Sequence, residues 1–226
     1  MPRPLTTRKS MIVMTDVDNI DLTIVSPLMA DLIKELFDEE SQYKRMSYDP
    51  FNNMLEEKLS LNHLKEIMHQ HGNLNAARKS PKNDNRFTFS RKDRADKFTQ
   101  QIVAACGGFW RPSGLFWYPP KSYCGWHTNN NNQGRRVYLA WAEEGDKSFF
   151  RYYDQDKDKI VTTWDKKGLN IHHFEVSKEK PCWHCVGSYT NRISLGFMMP
   201  IDQDAWEERS ARKQHKYSEE FSDIEL

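Results

Sequence analysis

Residues 135–176, RRVYLAWAEEGDKSFFRYYDQDKDKIVTTWDKKGLNIHHFEV, decide the fold. The runs 135–142, 147–154, 159–164 and 169–176 are rich in β-branched and aromatic residues. They are separated by Glu143-Glu144-Gly145, Gln155 to Asp158 and Lys166 to Gly168. Runs of this kind bounded by turn formers predict strands. No helical pattern separates them, so an all-helical or doubly wound α/β fold fits poorly. Working outward, the same pattern predicts strands near 114–118, 121–127, 182–187 and 192–199, broken at Pro119-Pro120, Asn129 to Gly134, Lys178 to Pro181 and Ser188 to Asn191. Short strands spaced by turns predict a double-sheet jelly roll or a barrel.

The chain before this region reads differently. Met29, Leu32, Ile33, Leu36 and Phe37 recur at helical spacing within 22–40, with Ser26-Pro27 as the expected start. A weaker helix is predicted over 53–69, and a third over 95–106, stopped by Gly107-Gly108. His63, His69 and His71 read as solvated. The expected organisation is a helical N-terminal region over 1–108 packing on a β core over 109–200, with a charged tail or helix over 201–226. The architecture is thus mostly β with helical N-terminal support. Segment 77–97 carries eight Lys/Arg against three Asp and holds Ser80-Pro81, so it reads as a basic loop able to steer an anionic substrate. Asp154, Asp156 and Asp158 mimic a calcium loop, but Lys159 stands where glycine is needed and Asp165 where glutamate is needed. A polar hairpin turn is the better reading.

Composition narrows the function. The 226 residues carry 33 Lys+Arg and 32 Asp+Glu, a net charge of +1, which argues against a general nucleic-acid-coating protein. No apolar run approaches the ~20 residues of a membrane-spanning helix, and the apolar stretch Met11 to Met14 is too short for a secretory signal. All seven tryptophans lie from Trp110 to Trp206 and all four cysteines from Cys106 to Cys185. Trp126, Trp141 and Trp183 are expected in the barrel core. The few cysteines need no disulfide framework, and a reducing cytoplasm is the expected location.

Two metal readings share one set of residues. Cys124-x-x-His127 with Cys182-x-x-Cys185 offers four zinc ligands. Against it, Cys182 and Cys185 in a strand point to opposite faces. The second reading is iron. His127-Thr128-Asn129 ends one strand, His184 lies 57 residues later on another, and Arg192 follows 8 residues beyond, with Ser194 in Arg-Ile-Ser. Non-haem iron oxygenases use two histidines and a carboxylate and keep positions open for co-substrate and O₂. Residues i and i+2 of a strand share a face, so a histidine and its second neighbour can point together. Arginine forks suit a distant carboxylate. Arg135 and Arg136 follow an asparagine-rich turn as a candidate rim, and His172 and His173 read as structural.

Tyr118-Pro119-Pro120, Gly125-Trp126-His127-Thr128-Asn129, His184 and Arg192-Ile193-Ser194 resemble, in order and spacing, the Fe(II)/2-oxoglutarate-dependent oxygenase superfamily. The prolyl-hydroxylase-like and nucleic-acid-demethylase-like branches both place a tyrosine a short way before the first metal histidine, as Tyr118 stands here, and the resemblance covers about 80 residues, Tyr118 to Phe197. It implies a double-stranded β-helix (a jelly roll) with helices outside one sheet. It implies His127, Asn129 and His184 at the metal, and Arg192, Ser194 and Tyr118 on the far carboxylate of 2-oxoglutarate, with no catalytic residue beyond the metal centre. It also implies Fe(II), 2-oxoglutarate as small-molecule co-substrate, and hydroxylation of a protein side chain or a nucleic acid. Asn129 departs from the family's aspartate. That leaves a two-histidine site, a carboxylate from elsewhere, or a binding-only pocket; a non-catalytic jelly-roll binding or structural protein is the alternative class.

Overall fold

The computed structural model describes residues 20, 22–38, 44–46, 48–71, 84–89, 95–105, 111–129, 133–177 and 181–199. Elements run in the order α1 (Leu22–Asp38), β1 (Lys44–Met46), α2 (Leu55–Lys58), α3 (Leu61–His71), β2 (Asp84–Thr88), α4 (Ala95–Ala105) and then eight strands. These are β3 (Arg111–Tyr118), β4 (Ser122–His127), β5 (Gly134–Ala142), β6 (Ser148–Asp154), β7 (Lys159–Trp164), β8 (Gly168–Val176), β9 (His184–Ser188) and β10 (Arg192–Met199).

The strands hydrogen-bond in the order β7-β6-β9-β4-β2-β3-β10-β5-β8, with every pairing antiparallel. On one side of β2 lie β3, β10, β5 and β8; on the other lie β4, β9, β6 and β7. From β3 onward the chain passes back and forth between these two groups, which is the winding of a double-stranded β-helix, a mostly β jelly roll. The eight core strands fall where the alternating apolar runs predict them.

Period-two alternation sorts each strand into two faces. On β10, Ile193, Leu195 and Phe197 pack outward with Val25, Met29, Leu32, Ile33 and Leu36 of α1 and Ile102 of α4. On the opposite sheet, Tyr123, Trp126, Phe149, Trp183 and Cys185 pack outward against Leu55, Leu59, Leu64 and Ile67 of α2 and α3. Tyr118, Cys124, Phe150, Phe174, Val176, Cys182 and Val186 fill the space between the sheets. Helices therefore cover the outer faces of both sheets, not of one. Trp126 and Trp183, both fully buried, belong to the outer layer and not to the barrel interior.

Three local readings change. Helix α1 begins at Leu22 and carries Pro27 inside it. Burying Val25 with Met29 outweighs the one backbone hydrogen bond that proline forgoes. The single helix expected over 53–69 is two, because Ser60 starts α3 by accepting the His63 backbone N–H at 3.1 Å. The basic segment 77–97 contains β2, whose Asn85, Arg86 and Phe87 are buried. Lys97 falls in α4, while the segment's basic residues besides Lys97 and Arg86, the N-terminal stretch Met11 to Met14, Cys106 and the tail over 201–226 lie outside the described residues. Residues 155–158 form the β6–β7 turn, where Asp158 accepts from the Tyr153 hydroxyl at 2.7 Å and from Lys65 at 2.8 Å.

Candidate metal centre

A β-bulge sets the site. Register between β4 and β9 shifts between Cys124 and His127. Strict alternation would put His127 on the face of Tyr123, against the helices. The extra residue turns Trp126 outward and His127 inward, opposite its register partner His184.

The two imidazoles lie 4.2 Å apart between ring centroids. His127 Nδ1 donates to the Gly125 carbonyl at 2.8 Å and His184 Nδ1 to the Cys182 carbonyl at 2.9 Å. Both bonds place the proton on Nδ1 and the lone pair on Nε2, the arrangement by which backbone carbonyls commonly orient metal-binding histidines. Phe150 stacks on His184 at 5.4 Å and Phe174 packs at 4.8 Å, which fixes that ring. Asn129 completes the cluster: its Nδ2 is 3.2 Å from His184 Nε2 and 3.2 Å from the Tyr138 hydroxyl. An amide turned by half a rotation presents Oδ1 at the same place.

Among the described residues, no three His, Cys, Asp or Glu side chains are placed to hold a metal ion together. A carboxylate ligand from elsewhere is therefore not found among them, and neither is the zinc set. Cys182 packs between the sheets and Cys185 packs on the helix side. Burial pushes the Cys182 thiol up to about 12 and the Cys185 thiol well above its ordinary value, both inert as thiolates.

A cavity of about 240 Å³ opens on this cluster. His127, Asn129 and His184 line it, as do Tyr118 and Ser194. Arg192 does not. It is fully buried one inward position beyond Ser194 on β10, with its guanidinium carbon 5.4 Å from the Tyr118 ring centroid. Its Nε donates to Asp165 Oδ2 at 2.8 Å, while Nη1 and Nη2 have no hydrogen-bond partner among the described residues. Asp165, itself fully buried, also accepts from Ser148 Oγ at 2.6 Å and pairs with His172 Nε2 at 2.7 Å. Burial pushes the Asp165 carboxyl up, but Arg192, His172 and Ser148 outweigh it and hold the group well below the usual carboxylate range. His172 thus faces inward as a structural partner, with His173 on the other face.

Sequence reasoning missed Arg86, Arg111 and Tyr138 as lining residues. Of the adjacent pair, Arg136 lines the cavity and Arg135 is exposed. Burial raises the Tyr118 hydroxyl well above the ordinary phenol value, although Arg86 and Arg192 pull the other way, so it stays a neutral donor.

No protein-family model and no curated protein matches the sequence. Among solved structures, the chain is similar to a 2OG-Fe(II) oxygenase family oxidoreductase from Burkholderia pseudomallei, at 12% identity over 50% of this chain and 60% of that one, TM-score 0.36. It is also similar to a Pseudomonas putida prolyl-4-hydroxylase, at 15% identity over 76% of this chain and 100% of that one, TM-score 0.36. An oxalate oxidase matches at 9% identity over 43% of this chain and 47% of that one, TM-score 0.32. The alignments thus span less than two thirds of the Burkholderia oxidoreductase and of the oxalate oxidase. What the cavity can do is read from its own residues.

Proposed function

We propose that the cavity is the active site of an Fe(II)- and 2-oxoglutarate-dependent dioxygenase. The observation that carries this reading is the convergence of His127 and His184, each with Nδ1 held by a backbone carbonyl, beside the Asn129 amide in a mostly buried cavity. Two imidazoles and an amide oxygen are a chemically competent, charge-neutral donor set for a divalent first-row metal, and they leave positions for a chelating co-substrate. Orphaned buried polar atoms support the second part of the fit. Among the described residues, Arg192 has two N–H-bearing nitrogens without partners in a fully buried position, an arrangement that is costly unless an anion approaches.

In this reading His127, His184 and Asn129 hold the iron, and Ser194, Tyr118 and the charge of Arg192 receive the far carboxylate of 2-oxoglutarate. Iron bound there would supply O₂ activation, with 2-oxoglutarate and O₂ converted to succinate and CO₂ while one oxygen atom enters a substrate C–H bond. The protein's own work is orientation and water exclusion. Gly125 and Cys182 carbonyls fix the imidazole tautomers; Phe150 and Phe174 dry one side of His184; Tyr118, kept protonated by burial, donates a hydrogen bond to an anion without giving up its proton. A protein side chain or a nucleic acid is the proposed substrate class. The three described cysteines are buried and outside any disulfide, which suits the reducing cytoplasm proposed for the protein.

The test is succinate formation from 2-oxoglutarate by Fe(II)-loaded protein, with metal content measured in parallel. Wild type is expected to turn over 2-oxoglutarate, even uncoupled from substrate, and His184→Ala is expected to lose both bound metal and turnover. A folded wild type that binds iron yet neither binds 2-oxoglutarate nor forms succinate overturns the reading and leaves a binding-only pocket.

A further inference from the structure

We infer that Arg86, contributed by β2 from the first half of the chain, is a carboxylate-binding residue of the cavity. Arg86 lines the cavity and Arg192 does not. The inference rests on the proposed co-substrate and assigns to that co-substrate's far carboxylate a second guanidinium.

The side chain is built into place from three directions. Its Nε is 2.8 Å from Asp84 Oδ1 and 3.1 Å from Oδ2, and its Nη1 donates to the Tyr118 hydroxyl at 2.7 Å. Its guanidinium carbon sits 3.7 Å from the centroid of Phe116, another lining residue. With 7% of its surface accessible, it is a buried cation. Nε and Nη1 are engaged by the protein, and Nη2 is the nitrogen that the described protein groups do not use. A planar fork held on two nitrogens and stacked on a ring presents its remaining edge at little further entropic cost. That edge belongs to a cavity whose described lining contains no aspartate or glutamate.

The location suits a ligand anchored at the metal. Asp84 pairs in register with Cys124, and Cys124 Sγ is 3.7 Å from His127 Nδ1. Arg86 and Arg192 both approach Tyr118, at 5.5 and 5.4 Å from its ring centroid. Tyr118, on which the two guanidinium groups converge, lines the same cavity as His127 and His184, so a 2-oxo acid held at the two histidines would have its far carboxylate received within that cavity.

The experiment compares two ligands on Mn(II)-loaded protein by calorimetric titration: 2-oxoglutarate, and 2-oxobutyrate, which lacks the far carboxylate. Arg86→Gln is expected to weaken 2-oxoglutarate by about tenfold or more, the scale of one charge-assisted hydrogen bond, and to leave 2-oxobutyrate unchanged. Arg86→Lys, keeping charge but not the fork, is expected to fall between. If Arg86→Gln, folded by its melting curve, binds 2-oxoglutarate like wild type, the inference is overturned and the dioxygenase reading stands. Equal weakening of both ligands also overturns it, because Arg86 would then act only on the shape of the cavity. Should Arg86→Gln fail to fold, Arg86→Lys decides by the same comparison. Wild type that binds neither ligand removes the co-substrate reading itself, and this inference with it.

Discussion

At the scale of single residues, Asn129 determines the character of the site. Its amide lies 3.2 Å from His184 Nε2, and in the proposed centre it would be the third ligand, one without a negative charge. Asn129→Asp restores the charge at nearly constant volume and is expected to tighten iron or manganese binding by about tenfold, on the order of one charge-assisted contact, measured by competition with a chelator. An unchanged affinity would place Asn129 outside the ligand set. His127 and His184 were singled out in the sequence by their order and spacing with Arg192, and the fold brings the two rings to 4.2 Å. The bulge that turns His127 inward was not legible there, since it depends on register with β9 and leaves only Gly125 as a trace. Arg86 was hidden for another reason. It sits among eight cations in 77–97, where composition suggests a solvated loop, and only its pairing with Asp84 and Tyr118 marks it as buried.

At the scale of elements, β2 and the helix pair α2–α3 do what the linear pattern could not announce. Phe87 and Thr88 of β2 pair with β3, and Asp84 and Asn85 with β4, so a short polar strand joins the two sheets. Its DNRFT sequence lacks the β-branched density by which the eight core strands were recognisable. Packing of α2 on the second sheet is equally dependent on tertiary contacts, and it leaves no spare volume at Gly187. A Cβ built there would stand 2.4 Å from a Phe149 ring carbon and 2.9 Å from Leu59 Cδ1. Gly187→Ala must displace a buried ring from the helix that covers it. The expected cost is about 1–3 kcal/mol, read from the urea midpoint at constant m. A neutral result would show that the α2–sheet contact is looser than its burial implies. Because His184 lies on the same strand, three residues before Gly187, the variant should also weaken metal binding.

At the scale of the whole molecule, one end of the jelly roll is held by ionised groups, and that gives stability a defined pH dependence. Asp165 lies between β7 and β8, Ser148 begins β6, His172 lies in β8 and Arg192 begins β10, so one carboxylate ties four separate segments together. Burial opposes its charge, but Arg192 and the bonds from His172 and Ser148 leave its folded value depressed. A depressed carboxyl binds fewer protons folded than unfolded, so its stabilisation is complete above the unfolded value of about 3.9 and is lost as pH falls below it toward the folded value. Thermal melts from pH 7 down to 2 should therefore show a plateau near neutrality and a decline that begins near pH 4. Asp165→Asn should flatten the part of that decline due to this group. At pH 7 it should also cost about 3–5 kcal/mol, because it strands the Arg192 charge in the interior. If the variant keeps the wild-type acid profile, the carboxylate is not the linchpin of that end. Double substitution with Arg192→Met, which removes the stranded charge, is expected to recover much of the loss at pH 7, since a buried pair replaced by apolar volume is often tolerated better than half a pair. The same double variant would lack the Arg192 charge behind Tyr118, so its fold should recover further than its affinity for 2-oxoglutarate does.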